Sequence, residues 1–156
     1  METTEQENLL SDLESSLVRA TAGKRLANFI IDRILYLPFS YACGLLIGTL
    51  SMDFAYLLNS NKFVEILTEF LLFAIFMGLQ EALFKGRSIG KFITQTKAVN
   101  IDGSTISAQT AFARGFSRIV PFEPFSALGD GCNPWHDRWN NTMVIDIKES
   151  TIIEQY

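Results

Sequence analysis

From Ile34 to Leu50 the chain reads ILYLPFSYACGLLIGTL without a charged residue, and its apolar character reaches back to Leu26, broken by Asp32 and Arg33. A helix rising about 1.5 Å per residue over that length crosses the roughly 30 Å hydrocarbon core of a bilayer with some tilt. Pro38 and Gly44 lie inside it; both residue types are commoner in membrane helices than in soluble ones, and Pro38 predicts a kink. A second apolar stretch, Phe63 to Phe84, carries Glu65, Glu69 and Glu81 toward its ends and an uncharged centre from Phe70 to Gln80. That centre is apolar all round, not along one stripe, which predicts a helix in lipid or in a fully buried site.

Beyond the second stretch the pattern changes. GRSIGK, Gly86 to Lys91, reads as a turn, and 94–107 alternates around Asp102-Gly103, predicting a β-hairpin. Ser107 suits an N-cap, and Ala108, Ala111, Phe112, Gly115, Phe116, Ile119 and Val120 recur on one side of a helix over 108–120. Arg114 and Arg118 flank that stripe, so the helix is expected in the membrane interface with its arginines among anionic headgroups. Residues 121–129 are too short and proline-rich to span. A polar, aromatic loop over 130–141 leads to a strand at Thr142 to Ile147, a candidate partner for the hairpin. The expected architecture is a membrane all-α hairpin of two transmembrane helices, 26–50 and 63–84, with an interfacial amphipathic helix and a small cytoplasmic β element. One domain, 22–148, lies between an acidic tail at 1–21 and a short tail at 149–156.

Hydrophobic residues make up 48% of the chain and charged residues 19%, close to the soluble average, so the membrane signal is local. A net charge of -4 excludes an ordinary nucleic-acid binder, which needs a basic face. Arg19, Lys24 and Arg25 precede the first span and Lys85, Arg87, Lys91 and Lys97 follow the second, with only Lys62 between them. The positive-inside rule then places both termini in the cytoplasm, in a multi-pass membrane protein with 51–62 outside. Met1 to Asp12 has no basic residue, opposite to the start of a secretory signal. Cys43 and Cys132 are far apart and are read as reduced thiols. GRSIGK falls short of a phosphate loop by one residue between its glycines and by the missing Ser or Thr after Lys91. Cys132, His136 and Asp137 lack metal-site spacing, and no nucleophile, base and orienter stand out. Neither an enzyme nor a cofactor or metal is expected.

Three segments resemble the RDD family of small bacterial membrane proteins: AGKRLANFIID at Ala22 to Asp32, EALFKGRSIGK at Glu81 to Lys91, and HDR at His136 to Arg138 followed by NNTMVIDI. The resemblance assigns the family's arginine to Arg25, its helix aspartate to Asp32 and its second aspartate to Asp137. Many family members carry a further apolar stretch before the final motif, where this sequence offers only 121–129, so a third span is not supported. A transport role is what the resemblance implies for function.

Asp32 falls about two turns inside the first span, where a carboxylate is costly unless paired, solvated or protonated. Arg25 faces the same way but about 10 Å off along the axis, and its side chain leans away, so a direct pair within the helix is not expected. Arg118, Arg114 or Lys91 is the expected partner of Asp32. The alternative is that Asp32 and Arg33 only pin the hairpin to the interface. Tyr36, Ser40 and Cys43 continue the Asp32 side, either lining a cavity or packing a helix contact. Glu69 belongs to an acidic stripe able to meet a cation, and Glu81 is expected to pair with Lys85 at i,i+4. Arg25, Asp32, Arg118 and Asp137 are thus the leading candidates, with Arg33, Glu69, Glu81, Arg114 and His136 behind them. Two functional classes remain: an oligomeric transporter or channel component for an ion or small solute, in contact with membrane lipids, or a scaffold presenting its cytoplasmic element to a partner.

Overall fold

The computed structural model describes residues 17–120, 126 and 134–150. Helix α1 runs from Ala22 to Leu50, its first turn capped by the Thr21 hydroxyl, which accepts from Lys24 N–H, and it continues unbroken through Pro38. The connection between the long helices is itself helical: α2, Met52–Asn59, starts on Ser51, whose hydroxyl accepts from Phe54 N–H. Asn61 then caps α3, Lys62–Leu83. The two long helices are 29 and 22 residues, enough to cross a membrane. Only 11% and 28% of their most apolar windows are buried in the protein, whereas the core helix of a soluble protein is mostly covered. Leu37, Leu45, Leu46, Ile66, Leu71 and Leu79 are among the large side chains left open along them. Where α1 meets α3, Tyr36, Phe73, Phe76 and Met77 form a buried aromatic cluster flanked by Leu35, Phe39 and Leu72.

The GRSIGK stretch is more than a turn. Its Ser88 caps a short helix α4, Ile89–Thr94, which closes at Gln95 in the left-handed region and feeds β1, Thr96–Asn100. Gly90 is required here because a Cβ would meet the Asn28 carbonyl oxygen at 2.8 Å and the Asp32 carboxylate at 3.0 Å; α4 rests directly on the backbone of α1. The Asp102-Gly103 turn forms as expected, with Asn100 N–H donating to the Ser104 carbonyl at 2.9 Å. The second arm of the hairpin, however, amounts to a single bridge between Val99 and Thr105. The strand that pairs along β1 is β2, Thr142–Asp146, antiparallel with Thr96 opposite Asp146 and Asn100 opposite Thr142. Ser104 and Asp102 satisfy each other locally and take the return arm out of the ladder.

Helix α5, Ala108–Ser117, starts at the Ser107 cap, but its arginines do not stand outward as expected: Arg114 is wholly buried and both Arg114 and Arg118 are engaged by Glu81. The helix packs on α3. A Cβ on Gly115 would lie 2.4 Å from the Ala74 carbonyl oxygen, and one on Gly78 would lie 2.7 Å from the Phe112 ring. The small residues that looked like part of an apolar stripe let two backbones touch, and this contact takes Arg114 out of solvent entirely. A one-turn helix α6, Trp135–Arg138, precedes β2. That helix falls within the loop expected over 130–141; residues 121–125 and 127–133, with Cys132 and the start of that loop, lie outside the described residues, as do the ends of both tails.

Candidate functional site

At the end of the hairpin formed by the start of α1 and the end of α3, five elements contribute to one buried ionic network. Asp137 on α6 accepts from Arg25 Nη1 of α1 at 2.6 Å and from Arg114 Nη1 of α5. Arg114 also donates from Nε to Glu81 Oε2 of α3 at 2.7 Å, and the other Glu81 oxygen accepts from Lys91 Nζ of α4 at 2.6 Å and Arg118 Nη2 at 3.0 Å. Arg114, Glu81 and Asp137 are wholly buried. His136 Nε2 stands 3.6 Å from Asp137. Arg25 additionally donates to the carbonyls of Ala20 and Val144, while Lys24 pairs with Asp146. The start of α1 is thereby tied to β2.

Burial of this kind is costly for any charge that lacks a partner. By itself it would raise the Asp137 carboxyl, yet Arg114, His136 and Arg25 hold it well below the usual carboxylate range. Burial would likewise lower the Arg114 guanidinium, but Glu81 and Asp137 hold it above its ordinary value. Lys91 fares differently. Burial pushes it down to about 8, with Glu81 opposing the shift and Arg114 and Arg118 adding repulsion.

Asp32 sits apart from these cations. Its carboxylate accepts from the Ser88 hydroxyl at 2.5 Å and from Gly90 N–H at 2.8 Å, so it is buried as an acceptor for the start of α4. The expected pairing with Arg118, Arg114 or Lys91 is not what forms: all three are engaged by Glu81, and the nearest donors to Asp32 are a capping hydroxyl and an amide that Gly90 alone can bring so close. The expected Glu81–Lys85 pair is also replaced, because Lys85 leaves the helix with φ +49 and Glu81 turns inward. Arg33 lies over the Phe73 ring, 4.7 Å from its centroid. Neighbouring buried polar groups are likewise satisfied: Asn28 donates to Thr96 Oγ1 at 2.9 Å and Gln80 accepts from Ile89 N–H at 3.0 Å.

A second polar feature lies farther along the hairpin. The Tyr36 hydroxyl, buried among Phe39, Phe73 and Phe76, donates to Glu69 Oε2 at 2.7 Å. Glu69, Ser40 and Gly44 line both a partly open crevice of about 120 Å³ between α1, α2 and α3 and a shallow, more open hollow of about 420 Å³ along α1. Asn59, Glu65 and Thr68 complete the polar lining of the crevice. Cys43 is half-buried and has a free thiol.

Sequence reasoning reached Arg25, Asp32, Glu81, Arg114, Arg118, Asp137 and His136, and six of these seven meet in one network. It missed Ser88, Gly90, Asn28 and Thr142, whose hydroxyl lies against both Arg114 and Asp137. Ser88 carried a readable signal as a cap residue after Gly86-Arg87; Thr142 carried none. Among the described residues no group of three or more His, Cys, Asp or Glu has the arrangement to hold a metal ion.

Comparison with curated proteins and with solved structures finds no match. The RDD family's sequence model matches residues 19–146, a span that takes in both apolar helices, the buried network and the two-stranded sheet. With its exposed apolar hairpin and a charged lock at one end of it, the chain is a membrane protein and belongs to the RDD family.

Proposed function

We propose that this protein is a subunit of an oligomeric transporter or channel that passes a cation or another small solute across the bacterial inner membrane, with both termini cytoplasmic. The observation that carries this reading is Glu69: a carboxylate within an apolar span, held by a buried tyrosine hydroxyl and shared between an inter-helical crevice and a shallow hollow along α1. Carboxylates in membrane spans are expensive and mark ion paths when they face a wet cavity. Two spanning helices do not enclose a pathway alone, so the open hollow over Ser40, Gly44 and Glu69 would be completed by another copy. Asp32 is then an anchor for α4 and not the titrating group.

The test is flux into proteoliposomes holding the purified chain, measured for monovalent and divalent cations and for small uncharged solutes. Wild type is expected to conduct, Glu69→Gln to lose at least tenfold in rate, and Tyr36→Phe to change rate without loss of helicity. Absence of flux for every solute, or undiminished flux in Glu69→Gln, overturns the transport reading. The scaffold reading has its own support, since Arg25 and Asp137 are consumed by contacts within the chain. It predicts stable copurification of a membrane partner through the β1–β2 sheet.

A further inference from the structure

The buried network does not balance. Among the described residues Arg25, Lys91, Arg114 and Arg118 bring four cations to two carboxylates, Glu81 and Asp137. Two guanidinium nitrogens in it, Arg114 Nη2 and Arg118 Nη1, are buried with no hydrogen-bond partner among the described residues. Their side chains are 0% and 10% exposed, so water does not readily serve them. Buried donors of this kind call for an acceptor, and an uncompensated buried charge calls for a counter-ion. The two arginines are four residues apart at the end of α5, and both grip Glu81, Arg114 on one oxygen and Arg118 on the other. Two guanidiniums sharing one carboxylate are neighbours, and each has one nitrogen to spare.

From this pairing of spare donors with surplus positive charge, we propose that Arg114 and Arg118 form a phosphate-binding site. A phosphate group matches the pair better than a carboxylate or a halide. It carries up to two negative charges near neutral pH, which equals the surplus, and offers several oxygens for separate guanidinium N–H donors. Access is from the Arg118 side, the less buried of the two. The group can come from an anionic lipid headgroup, since α5 lies against a membrane-spanning helix, or from free phosphate. Lys91 stays protonated more readily once that anion is in place, because the repulsion that opposes its charge is then offset.

The experiment uses the full chain, delipidated in neutral detergent, and reads its unfolding midpoint and bound mass. Inorganic phosphate, short-chain phosphatidic acid, short-chain phosphatidylcholine and sodium chloride at matched ionic strength are titrated separately. Phosphate or phosphatidic acid is expected to raise the midpoint, with chloride without effect. A shift by phosphate identifies a free-phosphate site, and one by phosphatidic acid alone identifies a headgroup site. Arg118→Gln should weaken binding at least tenfold and abolish the shift, whatever the loss of its bond to Glu81 does to the ligand-free midpoint. Arg118→Lys, which keeps charge but not the second nitrogen, should fall between. The proposal is overturned if neither phosphate compound binds, if chloride matches them, or if Arg118→Gln binds as tightly as wild type. A destabilised Arg118→Gln that still gains the full phosphate shift would equally overturn it and make Arg118 a partner of Glu81 only.

Discussion

Replacing Asp137 by Asn keeps shape and removes the one negative charge that lies between Arg25 and Arg114. The network then holds four cations against Glu81 alone, raising its surplus from two to three. Removing one partner of a buried ion pair costs about 3–5 kcal/mol, a large share of a total stability of about 5–15 kcal/mol. Arg25→Met alone deletes a cation along with its bonds to Asp137, Ala20 and Val144, a loss of about 3 kcal/mol on the same grounds. The double variant returns the surplus to two, because one charge of each sign has gone. It should therefore be less destabilised than the sum of the singles, with a coupling of about 1–3 kcal/mol. The assay is built in: the sequence has two tryptophans, Trp135 and Trp139, stacked 5.7 Å apart at the start and the C-cap of the helix that carries Asp137. Denaturant unfolding followed by tryptophan emission thus reports this corner directly. Additive effects, within about 0.5 kcal/mol, would refute the charge-balance reasoning.

Gly115→Ala sets a Cβ 2.4 Å from the Ala74 carbonyl oxygen, a backbone atom that cannot swing aside, so a loss of about 1–3 kcal/mol is expected in the same unfolding assay. Asp32→Asn leaves one oxygen to serve both the Ser88 hydroxyl and Gly90 N–H; a loss of about 1–3 kcal/mol, with faster amide exchange across Ile89–Thr94 and not across β2, should result. In acid, Asp137 is held below its ordinary range, so below about pH 4 the unfolded chain takes up more protons than the folded one and stability falls. Lys91, pushed down to about 8, works in the other direction: between about pH 8 and 10 the unfolded chain holds the extra proton, and its contribution to stability rises with pH. The difference between wild type and Lys91→Met across that window isolates this contribution, and a flat difference contradicts it.

The hairpin was legible because lipid demands long uninterrupted apolar runs, and Leu26–Leu50 and Phe63–Phe84 supply them. Caps were legible at Ser107 for the same local reason that Asp102-Gly103 announced its turn. What failed was anything set by contact between distant segments. Gly115 and Phe112 read as lipid-facing because an apolar stripe looks alike whether it meets acyl chains or Gly78. Glu81 looked paired with Lys85 because i,i+4 spacing is local, whereas its partners lie on α4 and α5. Asp32 was singled out correctly as needing an explanation; its Ser88 and Gly90 partners depend on α4 closing over α1, which Gly90 permits but does not announce. The β1–β2 pairing outcompetes the hairpin arm because β2 offers five buried positions where the arm offers a polar loop.

The bonds from Arg25 to Asp137 and Val144 join residues 112 and 119 positions apart, and this has a consequence for biosynthesis. Chains emerge from the ribosome N-terminus first, so α1 and α3 can insert into the bilayer well before their clasp exists. During that interval Arg25, Glu81 and Arg114 wait without Asp137, in a hairpin that is inserted but open. The α6–β2 segment, made after both long helices, therefore acts as a latch on the hairpin. A chain stopped before Trp135 should reach the membrane and yet remain a substrate for its quality-control proteases.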